Sequence, residues 1–167
     1  GTIYGGRGLI FDGVTDYLNN TVSSSYSALT TFSMSFWSKP TNFSTDYQRI
    51  CTFNNGGVRV GFRSTGKLTF YFNGTDGDID STGTAQTASV WTHNVITYDK
   101  TSTTYKHYIN ASLDYTKSDT NSSNIDISGT FRVGTFQGTN LFFNGTMSDI
   151  KIFDATLTEA QVQELYL

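Results

Sequence analysis

The sequence predicts an all-β fold: a two-sheet antiparallel jelly-roll sandwich carrying one short C-terminal helix. Three observations predict it. Apolar and polar residues alternate with a period of two along much of the chain. Strand-favouring residues are abundant, with 27 Thr, 13 Phe and 10 Tyr among 167 residues. Turn residues interrupt the alternating runs about every ten residues, the spacing of sandwich strands.

Each element has its own signal. Gly1 to Gly8 is a Gly-rich lead-in. The run Phe32-Ser33-Met34-Ser35-Phe36-Trp37-Ser38 sets Phe32, Met34 and Phe36 on one strand face. Val58 to Arg63 alternates apolar residues with Arg59 and Arg63. Leu68 to Phe72 is a strand ended by Asn73-Gly74, a turn dipeptide. Asp76 to Ser89 is polar and reads as loop or weak edge strand. Trp91 to Tyr98, Thr104 to Asn110, Ala111 to Lys117, Gly129 to Gly134 and Leu141 to Phe143 follow as strands. The last strand, Met147 to Phe153, is expected to set Met147, Asp149, Lys151 and Phe153 on one face and Ser148, Ile150 and Ile152 on the other. A helix follows from about Glu159 to Tyr166. Thr158 and Gln161 have the spacing of a capping box, and Glu159 sits where the helix dipole favours an anion. Val162, Leu165 and Tyr166 form its apolar stripe. No repeat or linker divides the chain, so residues 1–167 read as one domain.

Composition removes several functions. So many aromatic and β-branched residues argue against disorder, and no apolar run is long enough for a spanning helix. Charged residues make up 15% of the chain, against about a quarter in typical domains. The net charge of −3 and the scattered Lys and Arg offer nothing to a phosphate backbone or an anionic membrane, so neither nucleic acid nor membrane insertion is expected. Cys51 is the only cysteine, which rules out an intrachain disulfide. It stands between Ile50 and Thr52, where a cysteine behaves as a small hydrophobe. A chain beginning at Gly1 reads as a processed product or a domain cut from a longer protein.

Four segments together resemble laminin-G-like domains. Leu9-Ile10-Phe11-Asp12-Gly13-Val14-Thr15-Asp16-Tyr17-Leu18 resembles their opening motif. Phe32 to Pro40 and Trp91 to Asp99 resemble two of their strands, and Phe143 to Phe153 resembles the closing hairpin that precedes their helix. The resemblance implies the concanavalin A-like lectin/glucanase fold, with the first and last strands side by side. It also implies that Trp37 and Trp91, which sit inside strand motifs, belong to the core. His93 reads as a strand residue, and only His107 accompanies it, which leaves little for a histidine-based metal site or triad.

The glucanase branch of that fold resembles Glu-x-Asp-x-Glu on one strand, where paired carboxylates cleave the glycosidic bond. Here the only glutamates, Glu159 and Glu164, fall on the terminal helix, so no catalytic residue is assigned. The nearest substitute is Asp76-Gly77-Asp78-Ile79-Asp80. Alternation would put its three carboxylates on one face, where like charges raise one pKa. A solvated turn and a small calcium site are the other readings.

Relatives of this kind often hold one calcium ion between the opening motif and the closing hairpin. Asp12 and Asp16 match the first set of ligands. In the closing hairpin the usual acid is replaced by Ser148, with Asp149 one place later, which alternation turns to the opposite face. The competing expectation is that Asp12 closes the turn before Gly13.

Two functions are expected. One is a non-catalytic module that binds a glycan, cell-surface glycoconjugate or receptor in adhesion or recognition. Asp46, Tyr47, Asn54, Asn55, Tyr71, Asp78 and Asp80, in or beside loops, are its candidate contacts. The alternative is a structural or decorative domain of a virion, appendage or surface layer, in contact with neighbouring particle proteins. Thr, Ser and Asn make up about a third of the chain, and viral structural proteins with laminin-G-like domains look similar. Both place the chain outside the cell or on a virion or cell surface. Asn19, Asn42, Asn73, Asn110, Asn121 and Asn144 each begin an Asn-x-Ser/Thr acceptor, against about three expected from the Ser and Thr content.

Overall fold

The computed structural model describes residues 2–3, 8–72, 79–80, 83–118 and 123–167. In chain order the strands are β1 (Thr2–Ile3), β2 (Leu9–Asp12), β3 (Leu18–Val22), β4 (Thr31–Pro40), β5 (Gln48–Phe53), β6 (Val58–Phe62) and β7 (Leu68–Tyr71). They continue with β8 (Ile79–Asp80), β9 (Thr92–Asp99), β10 (Thr104–Ile109), β11 (Ser112–Ser118), β12 (Gly129–Val133) and β13 (Asn144–Phe153), before helix α1 (Glu159–Tyr166). A seven-stranded sheet has the order β1-β2-β13-β4-β9-β10-β11, and a six-stranded sheet β3-β12-β5-β6-β7-β8. The pairings are antiparallel.

Alternation explains the core. Phe32, Met34 and Phe36 of β4 and Ile96 and Tyr98 of β9 face Phe53, Val58, Val60, Phe62 and Phe70 of the other sheet, all buried. Aromatic rings fill the gap, with Tyr98 stacked on Tyr105 at 4.5 Å and Phe72 on Tyr105 at 5.3 Å. The Cys51 thiol lies here and donates to the Met34 sulfur; burial pushes its pKa up. The opening and closing motifs pair as the resemblance implies, Asp12 opposite Asn144 and Leu9 opposite Met147.

Helix α1 lies on the outer face of the seven-stranded sheet, where Leu157 and Val162 pack against Val95 and Tyr108. Its capping box is complete, with the Gln161 amide donating to the Thr158 hydroxyl and the Gln161 side chain accepting from the Thr158 amide.

Three expectations are corrected. Leu141 to Phe143 forms no strand: Leu141 takes a left-handed φ of 52°, and the segment is a loop stitched to β5 by the Arg49 amide on the Leu141 carbonyl. The last strand does not alternate cleanly. Between Ser148 and Lys151 it holds one residue more than β4, and Asp149 adopts a φ of 53° in the resulting bulge. Met147 is therefore buried while Asp149 is exposed and paired with Lys151 at 2.7 Å, rather than both sharing one face. Trp37 and Trp91 are only half buried. Trp37 follows Phe36 in β4, so it points out of the core, and it rests on Tyr166 (5.5 Å, 16°) and His93 (5.1 Å). With Ser148 and Asp149, the two tryptophans line a shallow depression of about 420 Å³.

Candidate functional site

The face of the six-stranded sheet turned away from the core carries four of the chain's five arginines, Arg49, Arg59, Arg63 and Arg132. The inward set of β6 is Val58, Val60 and Phe62, so Arg59 and Gly61 face outward and Arg63 follows the strand end. Register carries the pattern across the sheet. Asn19, Arg132, Thr52, Arg59 and Tyr71 are successive cross-strand partners from β3 to β7. Arg49, Gly61, Thr69 and Asp80 form the adjacent row.

Arg49 reaches this face through a β-bulge. Strict alternation would align it with Cys51 and Phe53, in the core. Ile50 is an extra residue: Arg49 pairs with Gly61 and Cys51 with Val60. The insertion turns Arg49 outward and sends Ile50 inward, where it is fully buried. The Ile50 carbonyl also accepts the Gly134 amide at 2.9 Å, and the Thr52 hydroxyl donates to the Thr135 carbonyl at 3.2 Å. These bonds hold the loop after β12 over the sheet and set Phe136 between two arginines. Phe136 fits because Gly56 has no side chain; a Cβ there would stand 2.5 Å from the Phe136 ring.

The result is a ladder of alternating cations and rings. The Arg63 guanidinium lies 4.1 Å from the Tyr47 ring centre, and Arg49 lies 4.9 Å from the same ring. Phe136 follows, 5.9 Å from Arg49 and 5.8 Å from Arg59, and Arg59 stacks on Tyr71 at 3.9 Å. Tyr47 holds its place with a left-handed φ of 61°, and Arg63 donates to its hydroxyl. Asp46 accepts from Arg63 at 3.0 Å and from the Ser64 amide at 2.7 Å. Partial burial works to raise the Asp46 pKa, but the Ser64 amide and the Arg63 charge outweigh it, and the carboxyl is held below its usual value. The face thus offers planar guanidinium donors, a carboxylate acceptor and aromatic surface, the groups that position a polyhydroxylated ring.

Of the residues picked from the sequence, Asp46, Tyr47 and Tyr71 join this ladder. Asn55 sits at its margin, accepting from Arg132 at 3.5 Å. Asn54 does not join; its amide donates to Asp126 at 2.7 Å and ties the β5–β6 turn to a neighbouring segment. Asp76 and Asp78 lie outside the described residues, as does the Asp80 side chain; the Asp80 backbone belongs to edge strand β8. Arg49, Arg59, Arg63, Arg132 and Phe136 were missed. The basic alternation of Arg59 and Arg63 was the available signal, whereas Arg49 was hidden by the bulge and Phe136 by its loop.

The four residues expected around a calcium ion are not brought together. Asp12 Oδ1 accepts the amides of Val14, Thr15 and Asp16 at 2.8, 2.8 and 3.0 Å, and Oδ2 accepts the Thr15 hydroxyl at 2.9 Å. The amides of Thr15, Val14 and Asp16 hold its carboxyl well below the usual range. Donors aimed at a carboxylate occupy the lone pairs a cation would need. Ser148 stands four residues along β13 from the partner of Asp12, about 13 Å at strand rise, and Asp149 is paired with Lys151. This donor set does not fit one calcium ion. Among the described residues no three His, Cys, Asp or Glu side chains gather as a metal site.

Other features lie apart from the ladder. An apolar cleft of about 480 Å³, lined by Leu9, Leu18, Phe131, Val133, Met147 and Ile150 among others, has few polar groups to orient a sugar. Glu159 and Glu164 stay on α1, against the opposite sheet. His93 is a buried strand residue bonded to the Ser35 hydroxyl at 2.8 Å. Of the acceptor asparagines, Asn19 and Asn110 are exposed, Asn42 and Asn144 half buried, and Asn73 and Asn121 outside the described residues. Among the described residues no helix is long and apolar enough to cross a membrane.

The two facing antiparallel sheets and their inner aromatic layer define a lectin-like jelly-roll sandwich. The chain belongs to the concanavalin A-like lectin/glucanases superfamily, whose laminin-G profile matches residues 12–163. Its fold is similar to a heptameric SAP-like pentraxin from Limulus polyphemus (TM-score 0.73, 19% identity, 99% of this chain and 84% of that one). It is also similar to the Ruminococcus gnavus IT-sialidase CBM40 bound to α2,3 sialyllactose (TM-score 0.74, 17% identity, 96% of each chain). A third is domain 4 of AbnA, a GH43 extracellular arabinanase from Geobacillus stearothermophilus in complex with arabinotriose (TM-score 0.66, 19% identity, 84% and 68%). At these identities the likeness is one of fold. No curated protein sequence matches the chain.

Proposed function

We propose that the chain is a non-catalytic carbohydrate-binding module that takes its glycan on the outer face of the six-stranded sheet. The observation that carries this reading is the ladder Arg63–Tyr47–Arg49–Phe136–Arg59–Tyr71 with Asp46 beside it. Its rings supply faces for the C–H side of a sugar, and its guanidinium and carboxylate groups supply donors and an acceptor for hydroxyls. Support comes from the sugar-bound structures of the same fold, complexed with sialyllactose and arabinotriose. The placement of both glutamates on α1, against the other sheet, supports binding without glycosidic cleavage. In this reading the module works outside the cell, holding a glycan or glycoconjugate in adhesion or recognition. The alternative, a particle-surface domain with mainly protein contacts, rests on composition and on a resemblance to viral structural proteins with laminin-G-like domains.

A glycan array followed by calorimetry tests it. The expected result is a set of hits that Tyr47→Ala and Tyr71→Ala each weaken by about tenfold or more, with unfolding still cooperative. An array without hits, or hits that both variants leave unchanged, overturns the reading.

A further inference from the structure

We infer that the glycan taken by this face is acidic, bearing the carboxylate of a sugar acid or a sulfate ester. The inference deepens the proposed function and rests on it. A chain with net charge −3 gathers four of its five arginines on one sheet face. Neutral sugars are bound by amides, hydroxyls and carboxylates as readily as by guanidinium groups, so sugar binding alone does not require that concentration of charge. The residue type narrows the ligand further. Guanidinium presents a planar fork that matches a carboxylate or sulfate oxygen pair, and a ring stacked on its face leaves that fork edge as its polar side. Arg59 rests its face on Tyr71 in this way, while Arg63, stacked on Tyr47, turns its edge to Asp46 and the Tyr47 hydroxyl. Arg132 extends the charge across Thr52 toward Asn55, giving an anion donors on both sides of the central strands. Asp46 engages Arg63 at one end of the ladder, and Asp80 marks the sheet edge. Between them the row Arg132–Thr52–Arg59–Tyr71 joins two guanidinium groups to one ring, the composition suited to a sugar with a charged substituent.

The test compares sugars that differ only in charge: sialyllactose with lactose, a glucuronate-terminated disaccharide with its glucose counterpart, and a sulfated galactoside with its unsulfated form. The acidic member of at least one pair is expected to bind about tenfold or more tightly, with that advantage shrinking between about 50 mM and 500 mM salt. The three pairs separate carboxylate from sulfate recognition, and either result supports the inference. Arg132→Gln and Arg59→Lys should each weaken the acidic sugar several-fold more than its neutral counterpart; Arg59→Lys keeps the charge and removes the fork, so its effect reports geometry rather than folding. If neutral members bind as tightly as acidic ones, the inference fails and the proposed function stands. If no sugar of either kind binds, both fail.

Discussion

Arg59 and Tyr71 are direct cross-strand partners between β6 and β7, and the guanidinium lies 3.9 Å from the centre of the tyrosine ring. The pair couples the stability of the sheet to the chemistry of its outer face. At a half-buried site such a stack contributes about 0.5–1 kcal/mol. Tyr71→Phe should therefore leave urea stability unchanged, because it keeps the ring. Tyr71→Ala should lower it by about 1 kcal/mol, and an Ala variant as stable as the parent would show that the stack holds nothing.

Gly61 lies on the same face beside Arg49. A Cβ there would stand 2.4 Å from the Gln48 carbonyl oxygen and 3.2 Å from the Arg49 side chain, and the first contact is backbone. Gly61→Ala is expected to cost about 1–3 kcal/mol in urea unfolding, because β5 has to move away. A neutral result would mean that β5 shifts freely and that the bulge is soft.

Two buried histidines make stability depend on pH. Burial holds the His93 imidazole down to about 4, with Asp149 opposing and Lys151 reinforcing the shift. Burial also lowers His107, although Asp114, 3.4 Å away, works in the other direction. An unfolded histidine titrates near 6.5. Between about 6.5 and 4 the unfolded chain therefore binds more protons, and stability falls as pH falls through that window. The loss attributable to His93 is on the order of 1–2 kcal/mol, and His93→Gln should flatten the profile by that amount. Asp114 acts lower: the hydrogen bond from His107 leads in holding it at about 2, so its contribution is present above about 4 and lost toward pH 2. Urea unfolding at pH 7, 5.5 and 4.5 gives the comparison; equal stability at all three would refute the assignment.

Asp12 closes the turn of the opening motif by accepting three backbone amides. Asp12→Ala should lower the melting temperature by the same amount in millimolar calcium and in EDTA. A calcium-dependent rise in the parent that the variant lacks would mean that the ion displaces those amides and binds there.

Much of the fold was readable from alternation. Phe32, Met34 and Phe36 fall in the core as period two requires, and the Thr158–Gln161 spacing locates the helix start. The misreadings occur where one residue breaks the period. Ile50 turns Arg49 outward, and the extra residue between Ser148 and Lys151 separates Asp149 from Met147. Neither insertion is marked by its residue type, because a bulge is decided by pairing with a strand distant in sequence. Trp37 was misplaced for another reason. Its place after Phe36 already set it on the outer face, but its size suggested burial; α1 ends beside it at Tyr166 and covers it only in part. The loop tyrosines Tyr47 and Tyr71 were legible as candidates, but their arginine partners needed the cross-strand register.

The extra residue at Ile50 also means that the arginine face cannot be transplanted as a list of side chains. Copying Arg49, Arg59 and Arg63 onto the matching strands of an unbulged relative would send the first of them into hydrocarbon, where an uncompensated cation unfolds a domain. Within this chain, deleting Ile50 would leave Arg49 beside Cys51 in plain alternation and still facing outward, whereas filling that place without the bulge would carry a guanidinium through the sheet. Comparison of this face among homologous chains must therefore align strand pairing before it aligns residue names.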